Sequence, residues 1–444
     1  MAVKAVFALS SSLMMAGLMF SASTQAQSLK VAVEQTLQNN SDVLIDAKHR
    51  TSIDEALIGA KGGYFPRIDL ALGRGREYSE NDTTRQPGAE STFTRNEASI
   101  TLTQMLFDGY GVRSEVERNQ ARLDSAASRV AGTSEVTGLR AVEAYLEVLR
   151  LREITALTAD NAAVHLRTFD QIKIRSESGV GRRADLDQID ARYALARANL
   201  VSAQANQRDA EINFLRIVGV EPVNLSKQTD PLLVEVPKSL DEAMQIALDN
   251  NPILRSARSD IEATGAQTRA AKSTLWPRVD LQIGASKNNN IDGVPGTNED
   301  RYAMVRMRYT LNTGGGDNAR VRETMLLGDE AREVARRSEQ QLRQSVQLSW
   351  NALSSVRRRL PELREHASAS ALTRDAYIKQ FSIGQRTLLD MLDSENESFT
   401  AATNYVSGQY LEQYAQYRVL SDMGRLLPAL GVTPRPEASM AAPQ

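Results

Sequence analysis

The chain has 444 residues, of which 41% are hydrophobic and 5% aromatic, and 53 Lys and Arg face 55 Asp and Glu for a net charge of −2. That is enough apolar residue for a packed structure, and the charge balance argues against a nucleic-acid binder, which carries a basic excess. There is no cysteine, and His49, His165 and His366 lie far apart. Disulfide scaffolds, thiolate metal sites, cysteine nucleophiles and HExxH metalloenzymes are therefore excluded, and no cofactor is expected.

Residues 1–26 have the layout of an export signal. Lys4 supplies a positive start, Ala5 to Phe20 an apolar stretch interrupted by Ser10, Ser11 and Ser12, and Thr24 and Ala26 the small residues of a cleavage site. Removal of this segment leaves a net charge of (53 − 1) − 55 = −3. No later stretch approaches the length of an apolar spanning helix, so the exported chain is expected to be periplasmic, secreted or an outer-membrane β-barrel.

The rest of the chain is an internal repeat. Residues 28–73 and 239–284 share 13 identities in 46 ungapped positions, among them Pro66-Arg67 with Pro277-Arg278 and Asp69-Leu70 with Asp280-Leu281. Later, Gly181 to Asp187 lines up with Gly384 to Asp390. The expected division is a first repeat at 28–218, a linker at 219–238 with three prolines, a second repeat at 239–428 and a disordered tail at 429–444.

Each repeat runs through the same elements. A helix over about 28–61, with Ser28 as N-cap, stops at Pro66. Alternation of Ile68, Leu70 and Leu72 with Asp69, Ala71 and Gly73 predicts a strand. A polar loop with Asn81 and Asp82 follows, then a second strand through Ala98, Ile100 and Leu102. The second repeat has Val279, Leu281 and Ile283, a loop at 288–298, and Val305, Met307, Tyr309 and Leu311. Leu70, Ile100, Leu281 and Met307 are expected to face lipid. After the turns Asp108 to Gly111 and Thr313 to Gly316 comes a long polar helix in each half. Its narrow apolar seam, Leu342, Val346, Leu353, Val356, Leu360 and Leu363 in the second repeat, is that of a coiled coil. A kink is expected at Pro361. The long helices end near Gly181 and Gly384, where glycine permits a left-handed residue, and shorter helices return over about 184–217 and 387–425.

Four strands of this length match tilted outer-membrane strands but cannot close a barrel, so several chains must contribute to one. The competing reading is a soluble or surface coiled-coil scaffold or adhesin with no pore, in which the same strands form two water-exposed hairpins.

The ordered set of Tyr64-Phe65-Pro66-Arg67, Leu275-Trp276-Pro277-Arg278, Leu106-Phe107-Asp108-Gly109, Ala141 to Tyr145 and Ile383 to Asp393 resembles the TolC-like outer-membrane factors over residues 28–428. The resemblance implies a mixed α and β fold: a homotrimer whose four transmembrane strands per chain make a twelve-stranded barrel in the Gram-negative outer membrane, continued by a periplasmic α-barrel. It implies a non-enzymatic exit duct for secreted protein or small toxic compounds, served by a periplasmic adaptor and an inner-membrane ABC or proton-driven transporter.

It also implies site residues. Asp390 and Asp393, three apart on one helix face, would form stacked carboxylate rings at the pore constriction. Read without the resemblance, such a pair is usually a solvated helix face, and Asp185, Asp187 and Asp190 form a similar group. Arg386 would latch to Asp187 on a neighbouring helix, and Phe381 stands where the family has a tyrosine, removing one hydrogen bond from the latch. Val180, Gly181, Ile383 and Gly384 would be the tips that receive the adaptor, and Asn81, Asp82 and Asn288 to Asn290 would lie in extracellular loops.

Overall fold

The computed structural model describes residues 27–227, 232 and 234–440. The expected export signal at 1–26 and the last residues, 441–444, lie outside them. The two repeats are plain in the order of elements. The first holds α1 (Leu29–Asn39), α2 (Ser41–Gly62), β1 (Arg67–Tyr78), β2 (Thr92–Phe107), α3 (Gly111–Glu177) and α4 (Arg183–Val218). The second holds α5 (Leu240–Asn250), α6 (Pro252–Ser273), β3 (Arg278–Ile291), β4 (Val294–Arg308), α7 (Gly316–Ser382) and α8 (Leu388–Asp422), and α9 (Leu426–Ala429) follows.

The single opening helix expected over 28–61 is two helices, and one residue explains the division. Asn40 donates its backbone N–H to Thr36 O while its extended backbone turns the chain and its side chain accepts from Asp42 N. Asn251 does the same in the second repeat, accepting from Ile253 and Leu254 N–H, with Pro252 as the first residue of the next helix. An asparagine that closes one helix and caps the next makes a fixed corner.

The strands pair antiparallel in the order β1-β2-β3-β4, and the β2–β3 pairing joins the two hairpins of the repeats into one sheet. The loop expected at 288–298 is strand instead: Asn288 faces Asn298, Asn289 faces Thr297, and only Asp292-Gly293 turns the chain. Both turn residues have positive φ, the geometry that makes Asp-Gly a hairpin turn. The register also fixes the faces. Leu70 lies opposite Ile100, Ile100 opposite Ala285, Leu281 opposite Val305 and Val279 opposite Met307. Leu70, Ile100, Leu281 and Met307 thus share one apolar face, and Arg67, Asp69, Asp280 and Arg308 share the other.

α3 and α7 each have 67 residues, a rod of about 100 Å. Pro361 sits inside α7 without ending it. Of the seam residues, Leu342, Val346, Leu353 and Val356 are buried, and Leu360 and Leu363 lean toward Gly408 on α8, where a Cβ would meet Leu363 at 2.9 Å. Among the described residues no helix is long and apolar enough to cross a membrane.

The main core lies midway along the rods. Tyr145, Phe214, Leu353, Leu420 and Leu427 are fully buried there, and the Tyr145 hydroxyl lies 2.8 Å from the carbonyl oxygens of both Gln27 and Ser226. The tail expected to be disordered from 429 is ordered to Met440. Leu426, Leu427, Leu430 and Val432 bury against the core, and the turn Pro436–Ala438 rests on α2 and α3. Pro428 sits inside α9 rather than breaking the chain away, and the apolar side chains around it reach the core.

Glu135 on α3 ties that tail down. Its carboxylate accepts from Leu426 N at 2.9 Å and Leu427 N at 3.3 Å, capping α9. Burial pushes the carboxyl from 4.5 up to about 7, against the two N–H groups that favour its charge. The native state therefore holds this proton more tightly than the unfolded chain does, and the protein loses stability as pH rises from 4.5 to about 7. Glu135→Gln should lack that slope, so its stability relative to the wild type should improve from pH 5 to pH 8. Urea midpoints and amide exchange at Leu426 and Leu427 measure this; parallel pH profiles would contradict it.

Candidate functional site

At the end of the rods away from the sheet, the α3–α4 and α7–α8 turns come together on a second, small core. Ile172 of α3, Ile189 of α4, and Leu388, Met391 and Leu392 of α8 are buried, with Phe169, Leu186 and Phe381 packed against them. This cluster fixes the spacing of the two turns, and the chemistry-bearing side chains surround it.

The turns themselves are apolar and exposed. Val180 is 85% exposed and Ile383 68%. Gly384 has the expected left-handed backbone, at φ 75°. In the first repeat the left-handed residue is Gly179, not Gly181. Gly181 is needed for space: it donates to Arg175 O at 2.9 Å, and a Cβ there would stand 3.0 Å from Ser176 N.

Asp390 is the third residue of α8 and completes a capping box. Thr387 Oγ1 accepts from Asp390 N at 3.2 Å, and Asp390 Oδ2 accepts from Thr387 N at 3.2 Å and from its hydroxyl at 2.9 Å. The Thr387 hydroxyl and backbone N–H, helped by Arg386, hold the Asp390 carboxyl below its usual range. It is therefore charged at neutral pH. Asp393, one turn on, accepts from Arg192 of α4 at 3.2 Å.

Asp187 aligns with Asp390 in the repeat but has a different local role. The counterpart of Thr387 is Ala184, which has no hydroxyl, and α4 begins without a side-chain cap. Asp187 pairs with Arg183 at 3.2 Å instead. Arg386 does not meet Asp187 within the chain. Its guanidinium lies 4.1 Å from the Tyr377 ring centroid, and its Nε donates to Gln380 Oε1 at 3.0 Å. Phe381 packs into the small core with Arg175 over its ring at 5.7 Å. Asp185 and Asp190 are not drawn into this arrangement.

Sequence reading missed three of these groups. Tyr377 precedes Phe381 by four residues and so shares its helix face, a signal that spacing held. Arg192 carried no such signal. Nor did Glu395, which is buried on α8 against Asn161 Nδ2 at 3.4 Å and Arg374 Nε at 3.8 Å.

The four-stranded sheet is open at both edges and continues into helical rods that end in a charged and apolar tip. A family model described as outer membrane efflux protein matches residues 32–220 and 243–424. The outer membrane efflux protein BepC of Brucella suis biovar 1 is 26% identical over 402 residues, covering 90% of this chain and 86% of BepC. The outer membrane protein TolC of Escherichia coli is 23% identical, covering 92% of this chain and 84% of TolC. A crystal structure of a membrane protein from Pseudomonas aeruginosa superposes with a TM-score of 0.78 at 17% identity, over 89% of this chain and 90% of that one. The chain belongs to the outer membrane efflux protein family. It is an outer-membrane exit duct of the tripartite export type, with a large periplasmic part, and the family is one of transport channels rather than enzymes.

The cap makes a direct expectation. Thr387→Ala should cost about 0.5–2 kcal/mol at the start of α8 and speed amide exchange at Asp390. Unchanged exchange there would contradict the capping role.

Proposed function

We propose that three copies of this chain close a twelve-stranded barrel and a periplasmic tunnel, through which secreted protein or small toxic compounds leave a transporter–adaptor complex. One observation carries this: the protomer is open on both sides at every level. In the sheet the open elements are β1 and β4. Between the sheet and the middle of the rods, α2 packs on α3, α3 on α6 and α6 on α7, leaving α2 and α7 outermost. Toward the tip, α4 packs on α3, α3 on α8 and α8 on α7, leaving α4 and α7 outermost. These outer helices expose large apolar side chains, Ile45 and Ile58 on α2, Val201 and Ile212 on α4, and Leu326 and Leu372 on α7. Four elements at each level, open at both ends, complete a closed wall only with further copies.

In that assembly α4 of one chain lies beside α7 of the next. Asp187 and Arg386, which hold only local partners within one chain, are then the latch between chains, and Phe381 weakens it by lacking a hydroxyl. Asp390 and Asp393 line the constriction as two carboxylate rings that prefer cations and bind multivalent ones. Val180, Gly181, Ile383 and Gly384 are the contact points for a periplasmic adaptor, which links the duct to an inner-membrane ABC or proton-driven transporter.

Two measurements test this. Leu281→Arg on the lipid face should cost about 2–4 kcal/mol and lower the yield of heat-modifiable trimer in membranes; full yield would contradict the barrel. At the gate, Arg386→Ser should raise single-channel conductance in planar bilayers and Phe381→Tyr should lower it. Asp390→Ala combined with Asp393→Ala should weaken block by multivalent cations without closing the pore. Conductance, selectivity and block that stay unchanged in all three would refute the gate assignment while leaving the fold intact.

A further inference from the structure

The apolar face of the sheet is not apolar along its whole length. From the helical end outward, β1 presents Ile68, Leu70 and Leu72, and then Arg74 and Arg76 on the same face. On β3 Leu281, Ile283 and Ala285 give way to Lys287, and on β4 Val305 and Ala303 give way to Arg301. The register makes this one surface, because Leu72 faces Ala98, Ala98 faces Lys287, and Ala285 faces Arg301. Strict alternation thus places a basic collar on the side of the belt toward the hairpin turns.

The collar is unbalanced. The acid that shares this face of the strands is Glu299, and Lys287 already holds it at 2.6 Å. Four cations less one anion leave +3 per chain. Arg74, Arg76 and Arg301 are exposed and make no close ion pair among the described residues, although the charge of Arg301 adds to that of Lys287 in holding the Glu299 carboxyl below its usual range. Arginines on the opposite face are treated otherwise: Arg67 holds Asp69 at 2.9 Å, and Arg278 and Arg308 hold Asp280 at 3.0 and 3.1 Å, with Arg306 the exception. Unpaired guanidinium at the rim of an apolar belt is stable where headgroups supply the anion, and its planar fork suits phosphate.

We propose that Arg74, Arg76 and Arg301 form a binding collar for the phosphate groups of the phosphorylated glycolipid in the outer leaflet of the outer membrane. The inference rests on the barrel reading above, which turns this face outward. It commits to the glycolipid because the collar lies at the extracellular end of the strands, away from the periplasmic leaflet.

The test is native mass spectrometry of the full-length protein with added bisphosphorylated lipid A, dephosphorylated lipid A or phosphatidylglycerol. The wild type should retain bisphosphorylated lipid A at least tenfold better than either of the others. Arg74→Ser, Arg76→Ser and Arg301→Ser together should lose at least tenfold of that retention. The paired change Arg67→Ser and Arg306→Ser, on the opposite face, should lose none. Equal retention of the dephosphorylated lipid, or unchanged retention in the triple variant, would overturn the collar, and equal retention of phosphatidylglycerol would overturn the choice of glycolipid. The wild-type comparison decides the matter even where the triple variant fails to assemble. A wild type that never forms a trimer refutes the barrel instead, whereas an intact trimer with unchanged lipid retention refutes only the collar.

Discussion

A strand edge in lipid has no water to satisfy its N–H and C=O groups, and each group left open costs several kcal/mol. In the proposed barrel β1 and β4 are such edges, 12 and 15 residues long. They cannot pair with each other, because β2 and β3 lie between them. The same open order continues through both levels of helices, so the demand for a neighbour runs the length of the molecule. The proposed trimer answers it with one operation: the rotation that closes the sheet also covers the exposed apolar residues of α2, α4 and α7.

The corners between levels are held by small polar devices. Asn40 and Asn251 each end one helix and start the next, and Asp108 accepts from Gly111 N at 3.0 Å and Val112 N at 2.7 Å where the sheet hands over to α3. At the tip the two repeats diverge. Thr387 and Asp390 lock the start of α8, while Ala184 leaves α4 uncapped and Asp187 free to change partner. One methyl in place of one hydroxyl-bearing side chain separates a structural aspartate from one suited to a latch.

Much of this was legible in the sequence because it follows from period and repetition. Alternation at Ile68 to Gly73 and at Val279 to Gly284 found the strands and their faces, and the seam from Leu342 to Val356 found the coiled coil. Ser28 was recognisable as a cap. What escaped reading depended on single side chains finding distant or unusual partners. The corner at Asn40 hid inside a continuous helical pattern, and Asp292-Gly293 was swallowed by an asparagine-rich stretch that looked like loop. The prolines of the tail point to disorder, whereas the burial of Leu430 and Val432 depends on a core assembled from both repeats. The partners of Asp393 and Arg386 lie elsewhere: Arg192 is remote in sequence, and Tyr377 stands one turn before Phe381. The cap on Asp390 is spelled out by Thr387 three residues earlier, a local bond that a reading of Asp390 with Asp393 as a pore ring does not contain.

The absence of cysteine makes the central claim directly measurable. Single cysteines at Ile68, Leu70 or Leu72 on β1 can be paired in turn with cysteines at Ala303, Val305 or Met307 on β4, and oxidised in native membranes. Matched pairs should give covalent dimers and trimers and nothing larger. Failure of every pair to link chains, or a ladder that continues past three, would contradict a barrel closed by three copies of this sheet.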